Sequence, residues 1–171
     1  MPLLVLVGPP AAGKTTVGTR LAERLGVAFR DTDSDIVARD GRAVADIFVE
    51  DGEPAFRAME RVAVAEALAG HDGVLGLGGG SILAAETRLL LTAHRVVFLS
   101  VGVTAAVRRI GMNRDRPLLL GNPRAQLRAL LDARLPLYRE VATAVVETDD
   151  LTRDEVVDAV LAAVDLVGDA R

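Results

Sequence analysis

Short apolar runs alternate with amphipathic stretches along this chain. Five runs have the length and composition of buried strands, and they cover residues 3–7, 27–30, 74–77, 96–101 and 144–146. The stretches between them repeat apolar residues at helical spacing, as in 17–25, 57–68 and 124–134. Thr152 and Glu155 form a capping-box pattern that starts a last helix. This alternation is typical of βαβ units, so it predicts a three-layer αβα domain with a five-stranded parallel sheet.

Composition narrows the class of protein further. The 171 residues suit a single domain over 1–171, half of them are hydrophobic, and there is no Trp or Cys. The core is therefore expected to consist of Ala, Val and Leu, without disulfides or thiolate metal sites. A net charge of −4 argues against a nucleic-acid surface, and no apolar run approaches the roughly 20 residues of a membrane span. We expect a cytoplasmic monomer that binds neither nucleic acid nor membrane.

The strongest motif is GPPAAGKT at residues 8–15, which matches the phosphate-binding pattern G-x-x-x-x-G-K-[ST]. It follows the first predicted strand and precedes the first predicted helix, which is the context that the motif requires. Its backbone N–H groups and the helix dipole would hold phosphates, while Lys14 reaches the terminal phosphates and Thr15 ligates Mg²⁺. A simple Gly-rich turn is the weaker alternative. The motif predicts a nucleoside triphosphate as ligand.

Two carboxylates, Asp31 and Asp33, come directly after the second predicted strand. If the chain is still extended there, both side chains share one face. One carboxylate would then lie near the Mg²⁺ shell and the other near an acceptor hydroxyl. The alternative is an ordinary turn with a helix N-cap at Ser34 or Asp35. The position at a strand end favours the functional interpretation.

A glycine triplet, Gly78 to Gly80, follows the third predicted strand and is followed by Ser81. Many phosphate-loop proteins carry a carboxylate at this place, and none occurs here. Three glycines let the backbone approach a ligand closely, and Ser81 is expected to cap the next helix. A flexible turn is the alternative.

Three arginines stand in positions that suit an anion clamp: Arg57, Arg116 and Arg134. Arg116 belongs to a segment, 111–123, that is punctuated by Gly, Asn and Pro and that we interpret as a lid over the nucleotide. Most arginines are ordinary solvated surface residues, and composition alone does not choose among them.

Taken in order, these segments resemble the shikimate kinase family. The resemblance rests on GPPAAGKTT, FRDTDSDI, ADIFVEDGEPAFRAME, GLGGGS, RPLL and ARLPLYREVA, and it extends over essentially the whole chain. It implies a P-loop fold like that of nucleoside monophosphate kinases, with sheet order 2-3-1-4-5. It also implies ATP-dependent phosphorylation of the 3-hydroxyl of shikimate, on the route to chorismate and aromatic amino acids. Within the single domain, it implies an acceptor-binding segment at about 32–61 and the lid at about 111–123.

The resemblance also assigns residues to the nucleotide. Lys14 would hold the β- and γ-phosphates, Thr15 would ligate Mg²⁺, and Asp31 would reach the metal through water. Arg116 would bridge the transferring phosphate, and Arg109 would stack on adenine. The complete set of expected nucleotide contacts is Gly8, Ala11, Ala12, Gly13, Lys14, Thr15, Thr16, Arg109, Arg116 and the weakly aligned Arg153. Ala11 stands where the family often has a third glycine, which is harmless only if its φ is negative.

The acceptor contacts follow from the same resemblance. Asp33 would accept hydrogen bonds from the shikimate hydroxyls and either orient or deprotonate the reacting one. Arg57 and Arg134 would pair with the carboxylate of shikimate, and Glu60 would orient Arg57 from three residues away. The backbone of Gly78, Gly79 and Gly80 would touch the substrate, and Phe48 and Phe56 would form walls of its pocket.

Two other functions remain as alternatives. A gluconate-type kinase of the same fold is disfavoured only by Asp33, Arg57, Gly79 and Arg134 taken together. A nucleotide-dependent switch would need a guanine-reading N-K-x-D segment, and residues 113–116 do not fit that pattern.

Overall fold

A five-stranded parallel sheet forms the centre of the computed structural model, which describes residues 1–111 and 122–165. Its strands are β1 (Leu4–Val7), β2 (Phe29–Asp31), β3 (Val74–Gly76), β4 (Val96–Ser100) and β5 (Ala144–Glu147). Every pairing is parallel, and the order is β2-β3-β1-β4-β5. The predicted fold class and strand order are confirmed.

The position of β1 determines where a ligand binds. This first strand lies in the middle of the sheet, with Leu4 opposite Val74 of β3 and Val5 opposite Val96 of β4. The chain builds one side of the sheet with β2 and β3 and then crosses to the other side with β4 and β5. In open α/β sheets the crevice at such a reversal, outside the carboxyl ends of the strands, is where ligands bind.

Eight α-helices and one short 3-10 turn accompany the strands within the described residues, and the last helix follows β5. The helices are α1 (Lys14–Leu25), α2 (Thr32–Asp40), α3 (Val44–Asp51), α4 (Glu53–Gly70), α5 (Ala85–Leu91), α6 (Val103–Gly111), α7 (Pro123–Val141) and α8 (Arg153–Val164), and the 3-10 turn is Ser81–Leu83. The predicted capping box starts α8, since Thr152 and Glu155 exchange hydrogen bonds between side chain and backbone. No helix of the described ranges is long and apolar enough to cross a bilayer.

The two faces of the sheet bury alternate residues of each strand. Leu4 and Leu6 of β1 pack into one cluster with residues of α1 and α8, whereas Val5 and Val7 pack into the other with residues of α4 and α7. Side chains of a strand point to opposite faces in turn, so a strand covered on both sides reads as an unbroken apolar run. This burial explains why the strands appear in the sequence as continuous apolar runs and not as alternating apolar and polar residues.

A third, smaller cluster joins α2, α3 and α4 into a cap beside the carboxyl end of β2. Its buried members are Ile36, Ile47, Phe56 and Ala63. These helices contain most of the segment 32–61 that the resemblance assigns to the acceptor. They place that segment next to the phosphate loop.

The chain does not stay extended after β2. Asp31 is the N-cap of α2, and its Oδ1 atom accepts hydrogen bonds from the N–H groups of Asp33 (2.9 Å) and Ser34 (3.2 Å). The helix therefore begins at Thr32, earlier than the alternative caps Ser34 or Asp35. The condition for Asp31 and Asp33 to share a strand face is not met, because Asp33 lies in the first turn of a helix.

Candidate active site

The phosphate loop joins β1 to α1 and leaves the start of that helix open. Gly13, the N-cap of α1, has φ 88°, and no side chain caps the helix. A Cβ atom on Gly8 would lie 2.6 Å from the carbonyl oxygen of Leu99, so only glycine lets the loop pass this close to β4. Uncapped N–H groups at a helix start form an anion site, as the motif predicts.

Ala11 does not meet the condition set for it above. Its φ is 71°, in the left-handed region, where a Cβ atom crowds the following carbonyl and costs roughly 1–2 kcal/mol. The loop thus keeps the conformation that a glycine would adopt freely, and it does so with an alanine. Ala11 is therefore strained, and alanine at this position is not harmless.

Lys14 and Thr15 point toward the crevice from the first turn of α1. The Lys14 ammonium donates to the carbonyl oxygens of Gly8 (2.6 Å) and Pro9 (3.0 Å), so it lies over the loop that it is expected to share with phosphate. The Thr15 hydroxyl donates to Oδ2 of Asp31 over 3.3 Å. These contacts bring together the start of α1 and the end of β2.

The oxygen atoms of Thr15 and Asp31 suit Mg²⁺. Oδ1 of Asp31 is used by the helix cap, which leaves Oδ2 toward the Thr15 hydroxyl. Mg²⁺ prefers hard oxygen ligands and often takes only one or two from protein, with phosphate and water supplying the rest. The donor set fits a metal that arrives with the nucleotide.

Asp33 is the most perturbed acid of the crevice. Burial, followed by the neighbouring carboxylates of Asp31 and Glu60, raises the pKa of Asp33 to about 6, although Lys14 and Arg57 act in the opposite direction. Its Oδ1 atom is buried and has no hydrogen-bond partner within the described structure. A buried acceptor without a partner is costly and points to a ligand that supplies the missing donor.

Arg57 of α4 is held by a buried carboxylate. Its Nη1 atom donates to Oε2 of Glu60 over 2.7 Å, and the predicted contact three residues apart is thus present. The other oxygen of Glu60 accepts from the Ser81 hydroxyl at 3.0 Å, and Glu60 is only 3% exposed. Ser81 does not cap a helix, because Gly80 is the N-cap of the 3-10 turn. That expectation is wrong, since the serine hydroxyl donates to Glu60 instead.

Two aromatic rings flank the guanidinium of Arg57. Its central carbon lies 5.7 Å from the centre of the Phe48 ring and 5.5 Å from that of Phe56, and the two rings are 4.6 Å apart. Aromatic faces attract a cation and also exclude water around it. The arrangement keeps Arg57 oriented between α3 and α4.

The glycine triplet brings backbone close to these side chains. A Cβ atom on Gly78 would collide with the carboxylates of Asp33 and Glu60, and one on Gly80 would collide with the guanidinium of Arg57. Within the described residues, no acceptor is paired with the N–H groups of Gly79 and Gly80. The triplet is therefore a close backbone approach with free donors, which favours the functional interpretation over a flexible turn.

The remaining predicted residues are spread more widely. Arg109 donates to the carbonyl oxygen of Ala11 (3.0 Å) and to the hydroxyl and carbonyl oxygens of Thr148 (3.1 Å each), so it ties the phosphate loop to the segment after β5. Arg153 is exposed at the start of α8, and no described contact joins it to the phosphate loop. Arg134 lies on α7. Arg116 and most of the expected lid lie outside the described residues.

Two residues of the site were not anticipated from the sequence. The hydroxyl of Thr32, which is fully buried, accepts from the N–H of Gly78 at 3.2 Å. The hydroxyl of Tyr138 donates to the carbonyl oxygen of Gly79 at 2.6 Å. The sequence offered only weak signals for either: Thr32 stands between two acids, and Tyr138 is the one tyrosine of the chain.

Two cavities open at this edge of the sheet. One of about 310 Å³ is lined by Arg57, Glu60 and Gly80 on the side of α4. The other, of about 540 Å³, lies beside Pro9, between α7 and the ends of β4 and β5. The larger cavity touches the phosphate loop at Pro9 and the smaller one touches the glycine triplet at Gly80, so two separate spaces adjoin the residues of the site.

Comparisons with known proteins agree with this geometry. The shikimate kinase family model matches residues 10–165. A shikimate kinase from Saccharopolyspora erythraea is 63% identical over 161 residues, which are 94% of this chain and 92% of that protein. The solved structure of shikimate kinase from Acinetobacter baumannii in complex with shikimate is 39% identical, has a TM-score of 0.90 and covers 98% of this chain and 94% of its own. A gluconokinase from Sinorhizobium meliloti, at 20% identity, TM-score 0.59 and coverage of 96% and 91%, shares the fold alone.

Proposed function

The chain belongs to the shikimate kinase family and phosphorylates shikimate with ATP, and we propose that the phosphoryl group passes to the 3-hydroxyl through the residues of this crevice. One observation carries the assignment of roles. The buried Oδ1 atom of Asp33 lacks a donor and lies under the charges of Lys14 and Arg57, where an acceptor hydroxyl supplies that donor.

The nucleotide side rests on the phosphate loop. The open start of α1 would bind the phosphate oxygens of ATP. The ammonium of Lys14 would exchange its present contact with the loop carbonyl for these oxygens. Arg109 would face the adenine from the segment that it holds after β5. Thr15 and Asp31 would hold Mg²⁺, directly and through water. The ion would neutralise charge on the phosphates when it is bound.

The acceptor side rests on Arg57 and the glycine triplet. Shikimate carries a carboxylate, and a guanidinium oriented by Glu60 and two aromatic rings is suited to bind it. Arg134 would add a second cation from α7. The free N–H groups of the triplet would donate to oxygen atoms of the substrate. This leaves the hydroxyl face of the ring toward Asp33.

The transfer itself needs little covalent chemistry from the protein. The acceptor oxygen forms a bond to the γ-phosphorus, the bond from that phosphorus to the bridging oxygen breaks, and ADP leaves with the bonding pair. The hydroxyl proton goes to the carboxylate of Asp33, whose pKa near 6 lies close to working pH, as effective proton acceptors require. Lys14 would stabilise the charge that collects on the transferring group.

The gluconate-type alternative fits this site poorly. Gluconate is an open chain with a carboxylate at one end, whereas the site places its cation, aromatic walls and carboxylate around one compact space. The likeness to a gluconokinase is one of fold alone. A compact cyclic acid is the better match.

The deciding experiment measures ADP release from Mg·ATP by the purified chain with shikimate, with gluconate or with no acceptor. Mass detection and phosphorus NMR identify the product and the hydroxyl that carries the phosphate. We expect turnover with shikimate alone and phosphate on the 3-oxygen. Equal release with gluconate, or phosphate on another oxygen, would overturn the proposal.

A further inference from the structure

Tyr138 is a buried phenol that the roles assigned so far do not use. The residue is 1% exposed, and its ring stacks on that of Phe98 with centres 4.8 Å apart and planes at 17°. Its hydroxyl donates to the carbonyl oxygen of Gly79 over 2.6 Å. The stacking fixes the ring from α7 against β4, so the hydroxyl has a defined direction.

The peptide that receives this hydrogen bond stands between the two halves of the site. The Gly79 carbonyl and the Gly80 N–H belong to one planar unit, so holding the carbonyl sets the direction of the N–H. A Cβ atom on Gly79 would lie 3.0 Å from Cδ of Pro10 in the phosphate loop. Gly80 in turn lies against the guanidinium of Arg57. A rotation of this peptide would move a donor of the acceptor site.

The same hydroxyl lies beside Arg134, one helical turn earlier on α7. Burial raises the pKa of Tyr138 to about 12, and the charge of Arg134 is the main influence in the opposite direction. The phenol therefore stays protonated at neutral pH and keeps its donor role. Because residues four apart are neighbours on a helix surface, a shift of the phenol also moves the surroundings of Arg134.

We propose that Tyr138 is a positioning residue for the acceptor, whose hydroxyl aligns the Gly79–Gly80 peptide and the Arg134 guanidinium so that both meet the substrate in one orientation. This role rests on the proposed function, because the oriented groups belong to the proposed acceptor site. Tyr138 also lines the larger cavity beside Pro9. Because removal of the hydroxyl leaves the ring in that lining and breaks the bond to Gly79, the affinity for ATP is expected to stay unchanged.

The test is Tyr138→Phe in the full chain, which keeps the stacked ring and removes the hydroxyl. Loss of one well-formed hydrogen bond corresponds to about a tenfold change in binding. We expect the KM for shikimate to rise about tenfold while the KM for ATP stays within about twofold. Thr143→Val is the matched control, since it removes a hydroxyl that accepts from the N–H of Val96 at 3.1 Å, away from the site.

A double-mutant cycle with Arg134→Lys separates positioning from a general loss of stability. If both residues act on the same substrate contact, the double variant loses less shikimate affinity than the sum of the single losses. Additive losses, an unchanged KM for shikimate, or equal rises in both KM values would overturn the inference. Failure of the unsubstituted chain to phosphorylate shikimate would instead refute the proposed function, which keeps the two outcomes apart.

Discussion

Gly78 lets the carboxylate of Asp33 occupy space that any other residue would fill: Oδ1 of Asp33 lies 2.5 Å from the place of a Cβ atom on Gly78. Oε1 of Glu60 lies 2.8 Å from the same point. Two acidic side chains thus converge on one glycine, with Arg57 and Lys14 supplying the opposite charge. The electrostatics of the proposed acceptor site depend on this close approach.

Gly78→Ala is therefore expected to displace both carboxylates and to lower kcat/KM for shikimate by about a hundredfold, since misplacement of a reacting group by 1 Å costs that much. Steady-state kinetics with each substrate varied measures the effect. Gly70→Ala is the control, because its added Cβ meets nothing within 4 Å at the end of α4. Similar activity of the two variants would contradict the role of the close approach.

Asp33→Asn is expected to stabilise the free protein above pH 6 while lowering turnover about 10²–10⁴-fold. The pKa of Asp33 is raised from 3.8 to about 6, so the native state binds its proton more tightly than the unfolded state. Its contribution to stability is present below about pH 4 and is lost as the pH rises through about 6, a difference of about 3 kcal/mol. Asparagine carries no charge at any of these pH values.

Urea unfolding of the two proteins without metal or nucleotide, at a series of values from about pH 4 to 8, measures this difference. The advantage of Asp33→Asn should grow as the pH rises. Asp46→Asn, at an exposed position of α3, is the matched control. Parallel pH profiles for Asp33→Asn and the unsubstituted protein would rule out the proposed burial cost.

Arg57→Ala should mainly weaken acceptor binding, whereas Lys14→Ala should abolish turnover. Removing the guanidinium takes away a charged donor and leaves the buried carboxylate of Glu60 facing the Ser81 hydroxyl without its cation, so some stability is lost as well. Titration calorimetry with shikimate and with an ATP analogue separates the two ligands. Arg39→Ala, on the exposed side of α2, is the control. Unchanged shikimate affinity of Arg57→Ala would refute the clamp.

Ala11→Gly is expected to raise the free energy of unfolding by about 0.5–1 kcal/mol. Glycine removes the left-handed strain at φ 71°, and this gain exceeds the stability lost because glycine increases the entropy of the unfolded chain. Thermal unfolding followed by circular dichroism checks this. Ala12→Gly is the control: Ala12 is buried and its φ is not positive, so the same substitution there should destabilise. Equal losses in both variants would show that Ala11 is not strained.

The sequence was sufficient for the fold and for the phosphate loop because both are encoded locally. Runs buried on both faces predict the strands, and eight consecutive residues contain the loop together with the Thr15 hydroxyl that we propose for Mg²⁺. The start of α2 was misjudged, since Asp31 serves as both strand end and helix cap. The φ of Ala11 follows from the loop as a whole and not from the preference of alanine.

The contacts that finish the acceptor site join distant parts of the chain, and local patterns do not reveal them. Ser81 and Glu60 are 21 positions apart, and Tyr138 and Gly79 are 59 apart. Their pairing depends on how α4, α7 and the glycine triplet pack around the same strand ends. The resemblance named Glu60 and the triplet, but it assigned no role to the hydroxyls that hold them.

The central place of β1 also governs how the protein is made. This strand precedes the other four in the chain, yet Leu4 pairs with Val74 and Val5 with Val96, so nearly a hundred further residues must be synthesised before both neighbours exist. Contacts of such long separation slow folding, and an apolar strand stays exposed in the meantime. A nascent chain that stops before β4 therefore carries the complete nucleotide motif without the scaffold that gives it shape.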